Sequence, residues 1–191
     1  MAAVQADSQQ TKQLLECAAK GDRQAFDRLF AKHRPELRNL ISLRMDFRLR
    51  KRLDPSDIVQ ETQMIAYRRL HDYLERGPMP FQLWLRKTAQ QRLVDAQRMH
   101  FDRRRRSLHR EEGALSRSSR LVARNFANSH PNVLEKLARR ELERRIAGAV
   151  DNLPAVNREV VVMRNVEGLS FDEIAVVLEM QPPAVRQRYG R

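Results

Sequence analysis

The carboxy-terminal end of the chain concentrates arginine and glutamine side chains. Arg186, Gln187, Arg188 and Arg191 stand where a short helix would carry them. Arginine can hold guanine through two parallel hydrogen bonds, glutamine can do the same for adenine, and any of these arginines can instead grip a phosphate. Upstream, Trp84, Lys87, Gln90, Gln91, Arg92 and Arg98 interleave an aromatic ring, cations and amides at helical spacing. Such a face suits a single strand, where cations neutralise phosphates, amides hydrogen-bond exposed base edges and a ring offers a stacking platform. Each set also has a plainer reading, the first as a solvated basic helix and the second as a charged face with a core tryptophan.

Groups for covalent chemistry are missing from this pattern. The sequence has no glycine-rich phosphate loop, no Ser-His-Asp or Cys-His grouping and no paired carboxylates in an apolar context; Glu111 and Glu112 are adjacent and expected to be solvated. His33, His71, His100, His109 and His130 are scattered, away from metal-ligand spacing. A non-enzyme with no metal and no cofactor is expected.

Charge narrows the partner. A formal net charge of +13 and a pI near 11.0 suit a protein that displaces counterions from a polyanion. A spanning helix needs roughly 18 apolar residues in a row, and neither such a run nor a signal peptide is evident, so a cytoplasmic location is expected. The single cysteine, Cys17, is consistent with a reducing compartment and is read as a small core residue.

The periodicity that must position these groups is helical throughout, giving an all-α fold of two small domains and a linker. Residues 9–20 form a first helix with Leu14, Leu15 and Ala18 on one face, stopped by Gly21. Asp22 caps a second with Phe26, Leu29, Phe30, His33, Leu37, Leu40 and Ile41 in one stripe, His33 as a packed core residue. Asp54 and Pro55 open a helix over 54–74, with Ile58, Thr62, Ile65, Ala66, Arg69 and Tyr73 inward and Asp57, Gln60, Glu61 and Arg68 outward. Gly77, Pro78 and Pro80 break it. A long helix from Phe81 to about Arg106 follows, with Phe81, Trp84, Leu85, Thr88, Ala89, Leu93 and Ala96 on its apolar face. Its other face is basic: residues 86–106 hold eight Arg or Lys against two Asp, ending in Arg103 to Arg106. Residues 107–131 lose periodicity and are expected to be a flexible basic linker. Helices over 133–150 and from Pro154 come next. Ser170 and Glu173 then form a capping box, and Glu179 to Gln181 make a turn before Pro182 and Pro183 open a last helix. Two short helices across a tight turn describe a helix-turn-helix, although Glu179 stands where many such turns have glycine.

The order of these segments resembles the extracytoplasmic-function (ECF) sigma factors of the sigma-70 family. DPSDIVQETQMIAYRRL is similar to region 2.2, FQLWLRKTAQQRLVDAQRMHFDRRRR to regions 2.3 and 2.4, and LPAVNREVVVMRNVEGLSFDEIAVVLEMQPPAVRQR to region 4. RGPMPFQLWLR looks closest to sigma factors of planctomycete-like bacteria. The resemblance implies a sigma region 2 bundle over 9–106, a linker over 107–131 and a sigma region 4 helix-turn-helix over 132–191. It implies a sigma factor that binds core RNA polymerase and directs promoter-specific transcription initiation in the bacterial nucleoid. Asp57, Gln60 and Glu61 would face the beta-prime clamp helices, and the beta flap would be a second polymerase contact. Trp84, Lys87, Gln90, Gln91, Arg92 and Arg98, with the loop from Gly77 to Pro80, would meet the −10 element; the family often has Asn where Gln91 stands. Arg186, Gln187, Arg188 and Arg191 would meet the −35 element. An anti-sigma factor is a further partner the resemblance admits. Family members continue the recognition helix past the position of Arg191, which implies either a weak −35 contact or a truncated sequence. The competing reading is a stand-alone helix-turn-helix regulator, which would not need the DIVQET surface and would normally dimerise on a palindromic site.

Overall fold

The computed structural model describes residues 7–45, 47–77, 79–101, 117–129 and 136–190. Pro78, Arg103 to Arg106 and Arg191, given roles above, lie outside them. One compact unit holds residues 7–101 and a second holds 117–190.

In the first unit, local chemistry starts each main helix. Ser8 caps α1 (Gln9–Ala19) by accepting the Thr11 N–H at 3.2 Å. Asp22 caps α2 (Arg23–Arg44) by accepting from Ala25 at 3.0 Å. After the short α3 (Phe47–Arg50), Asp54 and Asp57 form a reciprocal capping box at the head of α4 (Pro55–Arg68), with Pro55 at its start. The Ser56 backbone N–H bonded to Asp54 holds that carboxyl below its ordinary range. The next elements are α5 (Leu70–Arg76) and α6 (Phe81–Phe101), joined by a turn that puts Gly77 in the left-handed region at φ 48°. Phe26, Leu29, Phe30, Ile41, Ile58, Phe81, Leu85, Ala89 and Ala96 meet in one core, each large side chain contributing about 1.5–3 kcal/mol.

Three expectations change here. The helix expected over 54–74 is broken at Arg69, whose φ of −97° and ψ of 6° end α4. An unbroken helix would aim Arg69 at the core; the break leaves it exposed and buries Leu70, while Tyr73 is buried as expected, avoiding an unpaired buried guanidinium. Cys17 is exposed, not a core residue. It lies two positions past Leu15, about 200° round the helix, whereas Thr11, Leu15 and Ala18 form the buried stripe. Within α6, Leu83 is buried although the apolar stripe omits it.

The second unit contains a helix where a linker was expected. Residues Arg117–Ser129 form α7, against α8 (Lys136–Asn152) and α9 (Ala155–Asn165). Its buried stripe is Ser119, Val122, Ala123 and Ala127, which has helical spacing but small and polar members. Ser119 is fully buried and donates to Asp151 at 2.5 Å, so its hydroxyl is satisfied. Val122, Val150 and Val162 form the core between these helices. A capping box of Ser170 and Glu173 opens α10 (Phe171–Leu178), and α11 (Pro182–Gly190) closes the unit.

Between α10 and α11, Glu179 takes the left-handed conformation (φ 54°) that glycine usually supplies. The Met180 N–H reaches back to the Ala175 carbonyl at 2.8 Å, and the Glu179 N–H to that of Val176 at 3.4 Å. These are the two bonds of a Schellman cap. The turn therefore forms without glycine, at a backbone cost of about 1–2 kcal/mol.

His33 gives the first unit a pH dependence. It is buried, packs edge-on against Phe81 at 5.8 Å, and its Nε2 has no hydrogen-bond partner among the described residues. Burial lowers its pKa below 6.5, opposed by Glu36 and Asp7 and reinforced by Lys32. The unfolded chain then takes up the proton more readily than the folded one, so stability is complete above pH 6.5 and lost as pH falls through and below it. Chemical denaturation at pH 7.5 and 5.5 is expected to show a lower midpoint for the first unit at pH 5.5, and His33→Leu to remove most of that difference. An unchanged difference in the variant would exclude His33 as its source.

Candidate nucleic-acid interface

Phe81 anchors the helix that carries the first candidate face. Its side chain is fully buried, its ring lies 5.6 Å from Tyr73 and 5.7 Å from Trp84, and its N–H bonds Asp7 at 3.0 Å. Trp84 lies over Tyr73 at 4.5 Å with 30° between the planes and stays half-buried. It is thus both packed and accessible at its rim. The Tyr73 hydroxyl donates to the Met79 carbonyl at 3.0 Å, tying the preceding loop to the same aromatic group. Burial, then the Asp7 carboxylate, raises the pKa of that phenol, so it remains a donor.

From this anchor, helical geometry sorts the expected residues. Trp84, Lys87, Gln91 and Arg98 fall along one side of α6, with Gln91 and Arg98 exposed and Lys87 partly so. Gln90 lies on the opposite shoulder of the exposed surface. Arg92 does not join them. Its side chain is 16% exposed and its Nε donates to Glu61 on α4. Arginine and carboxylate, expected on two different surfaces, form one ion pair that ties α4 to α6.

On α4, Asp57 and Gln60 are exposed as expected, and Asp57 also accepts the Asp54 N–H at 2.9 Å as part of the cap. Glu61 points aside toward Arg92. Two residues missed in sequence reasoning share the Gln60 side: Met64, 50% exposed, and Tyr67, 44% exposed. Tyr67 is braced edge-on by Phe26 at 5.1 Å and covered by the Arg23 guanidinium at 5.7 Å. A large apolar residue lying off its helix's buried stripe is the signal that would have revealed them. The result is an apolar centre with a polar rim, the anatomy of a protein–protein interface.

In the second unit, Val185 is fully buried and Tyr189 half-buried, which turns Arg186 and Gln187 outward on α11. Arg188 leans to the side and donates to Asn157 on α9 at 3.0 Å. Arg186 Nη2 donates to Asp172 Oδ1 on α10 at 3.2 Å. The Tyr189 hydroxyl donates to the Asn165 side chain at 3.1 Å, and Asn125 on α7 donates to the Asn165 carbonyl at 2.7 Å, so α7, α9 and α11 share one hub. Phe171 packs edge-on against Tyr189 at 5.3 Å beneath the Arg164 guanidinium. Among the described residues no cluster of His, Cys, Asp or Glu could hold a metal ion, and no helix is long and apolar enough to cross a membrane.

A helix-turn-helix with an outward basic helix in one unit, and a basic, amide-rich helix in the other, are features of helical DNA-binding proteins of transcription. Comparison with known proteins specifies the class. Residues 143–191 match the family model described as "Sigma-70, region 4". Over 174 residues the chain is 31% identical to RNA polymerase sigma factor CnrH of Cupriavidus metallidurans, covering 91% of this chain and 85% of CnrH. It is 29% identical over 185 residues to the ECF RNA polymerase sigma-E factor of Escherichia coli, covering 93% and 87% of the two chains. The solved structure of CnrH in complex with the cytosolic domain of CnrY matches with a TM-score of 0.55 at 25% identity, over 95% of this chain and 91% of that one. The chain belongs to the ECF sigma factors of the sigma-70 family. Its function is promoter-directed transcription initiation with RNA polymerase.

The geometry separates structural from exposed residues on α6. Arg92→Ala is expected to lower the stability of the first unit by about 1–3 kcal/mol, because it leaves the Glu61 carboxylate without its partner. Gln91→Ala is expected to stay within about 0.5 kcal/mol of the parent. Urea titration checks both, and equal stabilities would contradict the structural role of Arg92.

Proposed function

We propose a division of labour in which the first unit docks on polymerase and opens DNA while the second reads the upstream element. Sigma region 2 is assigned to residues 9–106, and sigma region 4 to the unit that includes 132–191, with α7 joined to it and the linker correspondingly shorter than 107–131. In this reading Asp57 and Gln60, with Met64 and Tyr67 at the centre, face the beta-prime clamp helices of core RNA polymerase, and Glu61 supports the surface through Arg92. The beta flap is assigned as a second polymerase contact.

Trp84, Lys87, Gln90, Gln91 and Arg98 meet the −10 element, with Arg92 acting as support behind them. The observation that carries this is the exposed side of α6, where Trp84, Lys87, Gln91 and Arg98 lie in line on a helix anchored by Phe81. Holding a base out of its stack costs a few kcal/mol, which stacking, amide hydrogen bonds and phosphate neutralisation together offset. Arg186, Gln187, Arg188 and Arg191 are assigned to the −35 element. Joining two weak readers on one chain raises their effective concentration on a single promoter. The protein acts by binding and has no reaction of its own, in the cytoplasm at the bacterial nucleoid. Since CnrH was solved with the cytosolic domain of CnrY, a protein partner is inferred here too, of the anti-sigma kind the family resemblance implies.

The test separates the two faces. Gln60→Arg is expected to weaken binding to bacterial core polymerase about tenfold, by placing a cation at the edge of a buried apolar contact. Gln91→Ala is expected to leave core binding unchanged and to reduce open-complex formation. Affinity by fluorescence anisotropy and opening by run-off transcription read the two effects. Parent-like core affinity in Gln60→Arg would refute the α4 assignment, and equal loss of both activities in Gln91→Ala would refute the α6 assignment.

A further inference from the structure

The two arginines of α11 that the structure describes in the proposed −35 face are held by chemically different partners. Arg188 bonds the neutral amide of Asn157 and keeps its whole charge. Arg186 bonds the carboxylate of Asp172, which stands in the first turn of α10. Asp172 is 18% exposed and Arg186 is 46% exposed, so the carboxylate is largely covered while the guanidinium remains open to a ligand. Asp172 is also favoured where it stands, because the amino-terminal end of a helix stabilises negative charge.

We propose that Asp172 is a positioning and specificity residue for Arg186, an inference that rests on the reading of α11 as the −35 helix. A guanidinium has five N–H donors in a rigid fork, and Asp172 occupies one through Nη2. Donors remain for the two parallel bonds to the N7 and O6 of guanine. The adjacent negative charge acts differently on the two ligands open to Arg186. It offsets the attraction for a phosphate, which is mainly a matter of net charge, and it leaves directional donation to a neutral base edge intact. It also fixes a side chain that would otherwise lose substantial rotamer freedom on binding. Arg186 is thereby directed to base reading and Arg188 to phosphate. Neither partner is evident from sequence spacing, since Asp172 lies 14 residues before Arg186 and Asn157 lies 31 before Arg188.

The experiment uses the full chain bound to core RNA polymerase and selects from duplexes that share one −10 element and are randomised over the −35 element. Asp172→Asn keeps the shape and removes the charge. It is expected to reduce the preferred base at one −35 position by roughly fivefold or more, the lower end of what a bidentate arginine–guanine contact is worth. The same position is expected to be lost in Arg186→Ala. Asp172→Glu, which keeps the charge, is expected to retain most of the preference. On random duplex, Asp172→Asn is expected to steepen the salt dependence of binding by about one phosphate's worth of counterion release. Arg188→Ala should instead weaken all duplexes alike and make that dependence shallower. Parent-like base preferences in both Asp172→Asn and Asp172→Ala would overturn the inference, as would loss at a position different from that of Arg186→Ala. If the parent complex selected no −35 sequence at all, the −35 reading of α11 would itself fail and take the inference with it.

Discussion

A chain with a net charge of +13 must fold against its own repulsion, and that constraint organises the structure. The cations stay outside, and the apolar stripes gather into separate small cores. Two arginines close to packed helices each meet a specific carboxylate. Glu61 meets Arg92 between α4 and α6, and Asp172 meets Arg186 between α10 and α11. These two carboxylates act as placed partners, one tying α4 to α6 and one beside the exposed Arg186.

The same economy places one helix at the centre of the first unit. The apolar side of α6 closes the core through Phe81, Leu85, Ala89 and Ala96, so its opposite side is held rigidly without spending any exposed residue on support. Trp84 lies at the border, stacked on Tyr73 yet accessible. In the proposed −10 role this placement would help, since a preorganised ring loses little freedom on binding. In the second unit the Asn165 hub does comparable work, linking α7, α9 and α11 through Asn125 and Tyr189.

Much of this was legible in the sequence because its signals are local. The caps at Asp22, Asp54 and Ser170, the stripe from Phe26 to Ile41 and the buried His33 depend on residues a turn or two apart. What was hidden depends on distance or on disguise. The Glu61–Arg92 pair joins positions 31 apart, which no periodicity reveals. Helix α7 was read as linker because serine and alanines fill its buried stripe, and its hydrogen bond to Asp151 exists only in the folded unit. The break at Arg69 leaves its guanidinium outside the core, a tertiary effect that local helix propensity does not register. Cys17 was misplaced because an apolar neighbourhood in sequence is not the same as the buried side of a helix.

In the proposed function this chain's DNA faces work as part of a polymerase complex. Permanganate footprinting of a promoter, with the chain alone, core polymerase alone and both together, tests it directly. Reactive, unpaired thymines around the −10 element are expected only when both are present. Tight binding of duplex promoter by the chain alone, with no reactive thymines when core is added, would contradict it.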